Sequence, residues 1–303
     1  MTTSHDLIVV GEGIAGLTCA GEAARLGVKV ATFEAEFFGG LVLNVNELHR
    51  FDEAGGLSGM DHAATLARAN AKAGVKSTNQ AVNAVRAIDG GFEVDTGAGT
   101  VTSRFVVLAT GARLKKLRVP GEEEFQGRGV SHCADCDAPM FTGAEVVVAG
   151  GGDWALQDAM VLAAECSVVH VVHEGAQLSA CPDYVDMVRA QPKIRIHAQR
   201  SIEAVLGDDR GMTGVRLRDR EGSTSELAAA GLFAVTGLEP NSGVAPVAAA
   251  RDASGFLVVN AELETAVPGL WAIGQVRAGF GGWLADAAAD ARPVAQSVKA
   301  RMG

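Results

Sequence analysis

Leu7-Ile8-Val9-Val10-Gly11-Glu12-Gly13-Ile14-Ala15-Gly16 is the stretch on which the fold turns. A short apolar run, long enough for a buried strand, feeds a turn of pattern GxGxxG, and Leu17 to Leu26 then reads as a helix. A second strand is predicted over Val28 to Phe33, ending at Glu34. The same order returns in Val146-Val147-Val148-Ala149-Gly150-Gly151-Gly152-Asp153-Trp154-Ala155. A helix to about Glu165 follows, then a strand over Ser167 to Val172 that ends at His173-Glu174. One GxGxxG in a chain with 38 glycines is a weak signal. Two of them, each with strand, helix and terminal acid in register, form an internal repeat and a strong one.

Each unit has the order of a βαβ nucleotide fold. One glycine permits the tight turn, one lets the backbone approach a pyrophosphate, and one lets helix and strand pack closely. Backbone N–H groups at the helix start then face the phosphates. Gly11, Gly13, Ile14, Ala15 and Gly16 are therefore candidate nucleotide contacts, with Gly150, Gly152, Asp153 and Ala155 as counterparts. Glu34 is placed to accept hydrogen bonds from ribose hydroxyls, and Glu174 stands at the matching position. A carboxylate there welcomes a 2′-hydroxyl and repels a 2′-phosphate. The plain alternative for either acid is a solvated residue at a strand end.

Outward from the repeats, Phe92-Glu93-Val94 and Val101 to Arg104 are predicted to pair, and Phe105 to Leu108 to form a buried strand ending at Ala109-Thr110-Gly111. Val215 to Arg218 and Leu232 to Thr236 are predicted strands, with Gly237 to Pro240 a turn. The tail holds Leu270 to Gln275 and an Ala-rich helix from about Trp283 to Lys299. Lys115 to Pro120 and Thr236 to Pro246 are polar or Pro/Gly-bearing and mark crossings between domains. The expected fold is α/β: two Rossmann-like, doubly wound domains, one inserted in the other. The boundaries are 1–115 with 246–303 for the outer domain and 116–245 for the inner.

The totals exclude several classes. Of 303 residues, 48% are hydrophobic and 20% charged, which argues against extended disorder. Acids outnumber bases 36 to 26, a balance that disfavours nucleic acid as partner. Met1 to Asp6 has no basic region before its short apolar run, so no secretory signal is expected, and no apolar stretch reaches a membrane span. The five cysteines read as cytoplasmic thiols rather than a disulfide framework.

With these segments in hand, the chain resembles the low-molecular-weight thioredoxin reductases over nearly its whole length. The matching stretches are Gly11 to Gly16, Gly39-Gly40, Ala109-Thr110-Gly111, Gly129 to Asp137, Val146 to Ala155, Phe233 to Pro240 and Val267 to Gly274. The resemblance implies an outer domain that binds FAD, an inner one that binds a nicotinamide nucleotide and carries a CxxC, and a homodimer. It extends the FAD contacts to Gly39, Gly40, Leu41, Val82, Ala109, Thr110, Gly111, Gly274, Gln275 and Trp283. There are departures. The arginines that hold the 2′-phosphate of NADPH in the family are absent from His173 to Ser179, the family's Gly-Asp is Gly274-Gln275, its Arg-Gln is Gly282-Trp283, and a glutamine is replaced by Leu41.

Cys133-Ala134-Asp135-Cys136 has the spacing of a small disulfide ring that opens and closes reversibly. Zinc, the main rival, needs four ligands, and there is no second CxxC; His132 and His170 are too isolated, so no metal is expected. By resemblance, Cys136 lies against the flavin, Cys133 attacks the substrate disulfide, and Asp137 is the proton donor; the other role for Asp137 is a helix cap. His132 reads as an exposed loop residue, Cys19 and Cys166 as core thiols, Trp154 and Trp283 as packing or ring-stacking. The expectation is a flavin disulfide reductase that takes electrons from NADH in preference to NADPH and passes them to a thioredoxin-like protein or a small-molecule disulfide. A dithiol oxidase using oxygen, a ferredoxin-dependent reductase and a flavin-bearing redox sensor are the alternatives.

Overall fold

The computed structural model describes residues 4–44, Leu48 and 56–303, so Met1 to Thr3 of the amino-terminal segment lie outside the described residues. The elements run β1 (Ser4–Val10), α1 (Ile14–Arg25), β2 (Val30–Glu34), α2 (Gly59–Lys72), β3 (Lys76–Asn79) and β4 (Val82–Ile88). Next come β5 (Gly91–Thr96), β6 (Gly99–Leu108), β7 (Ala112–Leu114), β8 (Val130–Ser131), α3 (Ala134–Asp137), β9 (Glu145–Ala149) and α4 (Asp153–Glu165). β10 (Val168–His173), α5 (Pro182–Ala190), β11 (Ile194–Ala198), β12 (Arg200–Asp208), β13 (Gly211–Asp219) and β14 (Thr224–Ala228) follow. β15 (Gly231–Ala234), β16 (Leu238–Pro240), β17 (Leu270–Ala272) and α6 (Leu284–Ala300) complete the chain.

Two compact units result, Met1–Arg113 with Glu239–Gly303, and Leu114–Leu238. The breaks differ from the expected 115/116 and 245/246, most at the second. Glu239 to Pro246 sides with the first unit because Asn241 is held there, its N–H donating to the Gly111 carbonyl, and because Ala245 is buried in that unit's core. The predicted turn over Gly237 to Pro240 is instead mostly strand, since β16 pairs with β7 where the chain crosses.

In the first unit the sheet order is β3-β2-β1-β6-β5-β4, with β17 also on β6. The separate strands expected over Val101 to Arg104 and Phe105 to Leu108 are one, β6. Its first half pairs antiparallel with β5 and its second half parallel with β17, while β1 runs parallel along the other edge. Alternation along β1 explains why its apolar run is continuous. Leu7 and Val9 face a core shared with α1 and α6, and Ile8 and Val10 face one shared with Phe92, Val94 and Leu270. These side chains are at most 4% exposed, so each contributes about 2 kcal/mol of burial.

The second unit has the parallel order β11-β10-β9-β15-β8 and a separate antiparallel sheet, β12-β13-β14. Val146 and Val148 of β9 face α4 and α5, and Val147 and Ala149 face the core with β12 and β13.

Candidate functional site

In the first unit, steric necessity explains the turn. Gly11 has φ +101°, and a Cβ on it would stand 2.3 Å from the Ala109 carbonyl oxygen. A Cβ on Gly16 would stand 2.0 Å from the Gly11 oxygen, so only glycine lets α1 start this close to β1. Gly13 differs: a Cβ there would meet nothing nearer than the Gly39 oxygen at 3.9 Å. The space beside it is open. The helix that follows begins at Gly13 with no side-chain cap and no acid in its first turn, which leaves its free N–H groups for an anion. α1 starts at Ile14 rather than at the predicted Leu17 because Leu17 N–H already donates to the Gly13 carbonyl, at 2.9 Å, which makes Ile14 to Gly16 its first turn.

Three further segments converge on this turn. Gly39 N–H donates to the Glu12 carbonyl at 2.7 Å, and Gly13 and Gly39 form a bridge. Gly40 opens the short 3-10 turn Gly40–Asn44, in which Leu41 is exposed. Ala109 N–H donates to the Val10 carbonyl, and Gly111 has φ +63°. Gly274, at φ +68°, lies so close that a Cβ would be 2.9 Å from the Ala15 methyl. Glu34 ends β2 with Oε2 accepting from Glu12 N–H at 2.8 Å, and Oε1 from Ala35 and Glu36 N–H at 2.8 and 3.2 Å. Its carboxylate is thus fixed in direction with lone pairs to spare. A dinucleotide's diphosphate, an adenosine ribose and a polyol chain fit this cradle, and FAD is such a ligand. Gln275 is half-buried beside it, and Val82 opens β4 packed on the second core of the unit. Trp283 does not pack: it caps α6 and is 57% exposed.

Sequence reasoning missed two supports of this cradle. Asn241 Nδ2 donates to the Thr110 carbonyl while Thr110 Oγ1 donates to the Asn241 carbonyl, which clamps the Ala109-Thr110-Gly111 turn. Asp290 of α6 accepts from Gly274 N–H at 2.9 Å and holds Arg277 by two bonds of 2.7 and 2.8 Å. An Asx residue after the Pro240 turn was a readable signal; the Arg277–Asp290 pair, formed across a loop, was not.

The second unit repeats the steric logic. Gly150 has φ +144°, with its would-be Cβ 2.2 Å from the Val235 oxygen and 3.0 Å from the Ala155 methyl. Beside Gly152 the nearest atom is Ser179 Oγ at 3.7 Å. The loop after β10 folds back here: Ser179 and Ala180 N–H donate to the Gly151 carbonyl, and Cys181 N–H donates to Asp153 Oδ1. Asp153 therefore ties this loop to the first turn of α4. His173 is buried against Gly151, and burial holds its pKa below the usual imidazole value. Glu174 is exposed and, unlike Glu34, its carboxylate makes no hydrogen bond among the described residues.

Cys133 and Cys136 are joined as a disulfide, with Cα atoms 5.3 Å apart. Cys133 precedes α3 and its Sγ accepts from Cys136 N–H at 3.2 Å. Asp137 ends α3 but caps nothing with its side chain, which removes the helix-cap alternative. Its Oδ2 instead accepts from Ser131 Oγ at 2.6 Å, and Ser131 Oγ accepts from Cys133 N–H at 3.1 Å. Ser131, buried on β8, escaped the sequence reading; its place two residues before Cys133 was the only signal. The expectation of an exposed His132 is corrected: the ring is half-buried and its Nδ1 is buried without a partner. Cys19 and Cys166 are buried, and burial pushes the Cys19 thiol up to about 12. Among the described residues, no three metal-ligating side chains cluster.

Past α3, a groove of about 490 Å³ is lined by Arg128, Gly129, Met140, Phe141, Met212 and Thr213, among others. Met140 is 75% exposed. No helix among the described residues is long and apolar enough to cross a membrane.

Residues 5–297 match the family described as pyridine nucleotide-disulphide oxidoreductase. The thioredoxin reductase of Treponema pallidum is 35% identical over 280 residues, covering 92% of this chain and 91% of its own. The crystal structure of Lactococcus lactis thioredoxin reductase superposes with a TM-score of 0.90 at 27% identity, covering 97% of both chains. That of T. acidophilum thioredoxin reductase gives 0.89 at 28% identity, covering 99% of both.

Proposed function

The chain belongs to the pyridine nucleotide-disulphide oxidoreductase family, among its low-molecular-weight thioredoxin reductases, and from that membership we propose a route for its electrons. They enter from a reduced nicotinamide, NADH before NADPH, and leave through Cys133 and Cys136 to a partner disulfide. The observation that carries this reading is the disulfide itself, coupled through Ser131 to the carboxyl of Asp137.

Gly11, Gly13 to Gly16, Glu34, Gly39 to Leu41, Val82, Ala109 to Gly111, Gly274-Gln275 and Trp283 would hold FAD, which when bound would supply hydride acceptance and two-electron delivery to the disulfide. The chain's own residues do the rest. Reduction opens the Cys133–Cys136 bond to a thiol and a thiolate. Cys133 Sγ attacks one sulfur of the partner disulfide and forms a mixed disulfide, releasing the other sulfur as thiolate. Asp137 delivers a proton to that leaving thiolate, with Ser131 fixing the carboxyl's direction. Cys136 then attacks Cys133 Sγ, restores the internal disulfide and frees the second partner thiol. The groove beyond α3, with exposed Met140 and the Arg128 guanidinium on its wall, is the surface offered to a thioredoxin-like protein or small-molecule disulfide. The nicotinamide nucleotide is assigned to Gly150, Gly152, Asp153, Ala155 and Glu174. We place the protein in the cytoplasm as a homodimer.

Anaerobic addition of NADH, NADPH or a dithiol to flavin-loaded protein, followed by flavin absorbance, tests the reading. NADH should bleach the flavin, and a disulfide substrate should restore its colour. Bleaching by the dithiol alone would favour an oxidase running in reverse, for which the absence of arginine between Glu174 and Ser179 already speaks.

A further inference from the structure

Among the described residues, four buried side-chain polar atoms lack a hydrogen-bond partner, and Oδ2 of Asp158 is the one carboxylate oxygen of the four. Such orphans ask for a reason. Asp158 lies on α4, one turn past Trp154, which hydrogen-bonds it, and is 7% exposed. Its helix packs against α3, the turn that carries Asp135 between the two redox cysteines, with Ala134 and Ala138 in one cluster with Ala155, Leu156 and Ala159. The other elements packed on α4 carry titratable or charged residues of their own: Asp183, Asp186 and Arg189 on α5, Glu145 on β9, and His170 and His173 on β10. Asp135 is the charged group that acts on Asp158, and it has the same sign.

We propose that Asp158 is a positioning residue for the disulfide chemistry, a buried carboxyl whose proton sets how readily the Cys133–Cys136 turn holds a thiolate. Burial first, and the Asp135 charge second, push its pKa up to about 7. Reduction of the pair consumes two electrons and one proton and leaves one thiol and one thiolate. That new charge shares the turn with Asp135. While Asp158 is protonated it adds nothing to the repulsion; once ionised, it puts a second carboxylate behind the thiolate and raises the thiol's pKa. The two titrations are therefore coupled, and each is broadened by the other.

The inference rests on the pair being the redox centre, so its test avoids turnover. Flavin-loaded protein is reduced with a phosphine, freed of reductant and alkylated with iodoacetamide from about pH 5 to 9, the range in which His and Cys groups titrate. The rate at the Cys133–Cys136 peptide is read by mass spectrometry. Asp158→Asn keeps the shape and removes the charge, and should move the alkylation profile down by about half a pH unit. Asp158→Glu should restore the wild-type profile. If the Asn variant does not fold, Asp158→Ser serves, with the same downward shift expected. Neutral and wild-type proteins that share one profile, or a Glu variant that behaves like Asn, would overturn the proposal. Failure of disulfide turnover in the wild type would count against the redox-centre reading instead, and the two failures are distinguishable.

Discussion

Replacing Glu174 by arginine should reverse the nucleotide preference. A 2′-phosphate carries about two negative charges where NADH has a hydroxyl. Glu174 is exposed and makes no hydrogen bond among the described residues, so its field acts through nearly aqueous dielectric. At about 4 Å each unit charge then costs about 1 kcal/mol, or about 2 kcal/mol for the phosphate. That is about 30-fold in affinity at low salt. At physiological ionic strength, with a Debye length of about 8 Å, screening leaves about eightfold. Among the described residues no cation pairs with Glu174: Gln199 N–H meets the Gly175 carbonyl, and the next residue, Arg200, is paired with Asp219 at 3.0 Å. In Glu174→Arg the sign changes, and NADPH should become the better donor by a similar factor. Stopped-flow flavin reduction by each nucleotide, at low and high salt, measures the ratio directly. A wild type reduced faster by NADPH, or a ratio that Glu174→Arg leaves unmoved, would refute the charge reasoning. Reduction by neither would point to a dithiol or ferredoxin as electron source.

Cys136→Ser should abolish disulfide turnover while leaving flavin reduction by nicotinamide intact, whereas Cys133→Ser should show a long-wavelength absorbance band; wild-type turnover in both would remove the pair from the chemistry. Gly16→Ala drives a methyl to 2.0 Å from the Gly11 carbonyl, so it should cost about 1–3 kcal/mol in thermal unfolding and yield colourless protein; unchanged melting with bound flavin would contradict the steric account. Asp158 gives a pH dependence with a definite sign. Its folded pKa, about 7, exceeds its ordinary value of 3.8, so the folded state holds the extra proton between them. Stability is full below about 3.8 and falls as pH rises through about 7, by at most roughly 4 kcal/mol. Asp158→Asn should flatten that slope in urea melts taken across the range, and an unchanged slope would show that another group is responsible.

What could be read from sequence was local and steric. Gly11, Gly16 and Gly150 are demanded by contacts with the backbone of a strand a few residues away in space, and the spacing of the motif reports those contacts in one dimension. Glu34 could be placed because a strand end fixes its direction. Ser131 and Asp137 are six residues apart, yet their bond depends on how α3 leaves β8, which no periodicity records. Asn241 clamps Thr110 across 131 residues of chain, and the crossing at Leu238 moved for the same reason. Asp158 gives no signal in the sequence, because its burial depends on how α3 packs on α4.

The shared edge of β6 has a consequence for biosynthesis. Its outer half waits for β17, and α1 packs against α6, both near the carboxyl end of the chain. The inserted unit is complete once Leu238 has left the ribosome, but the nascent flavin cradle is not. Gly274 must still arrive against Ala15, and Ile273 N–H must reach the Leu108 carbonyl. The cradle is thus complete only once residues beyond 270 have emerged, and until then the amino-terminal segments present an open sheet edge of the kind chaperones guard.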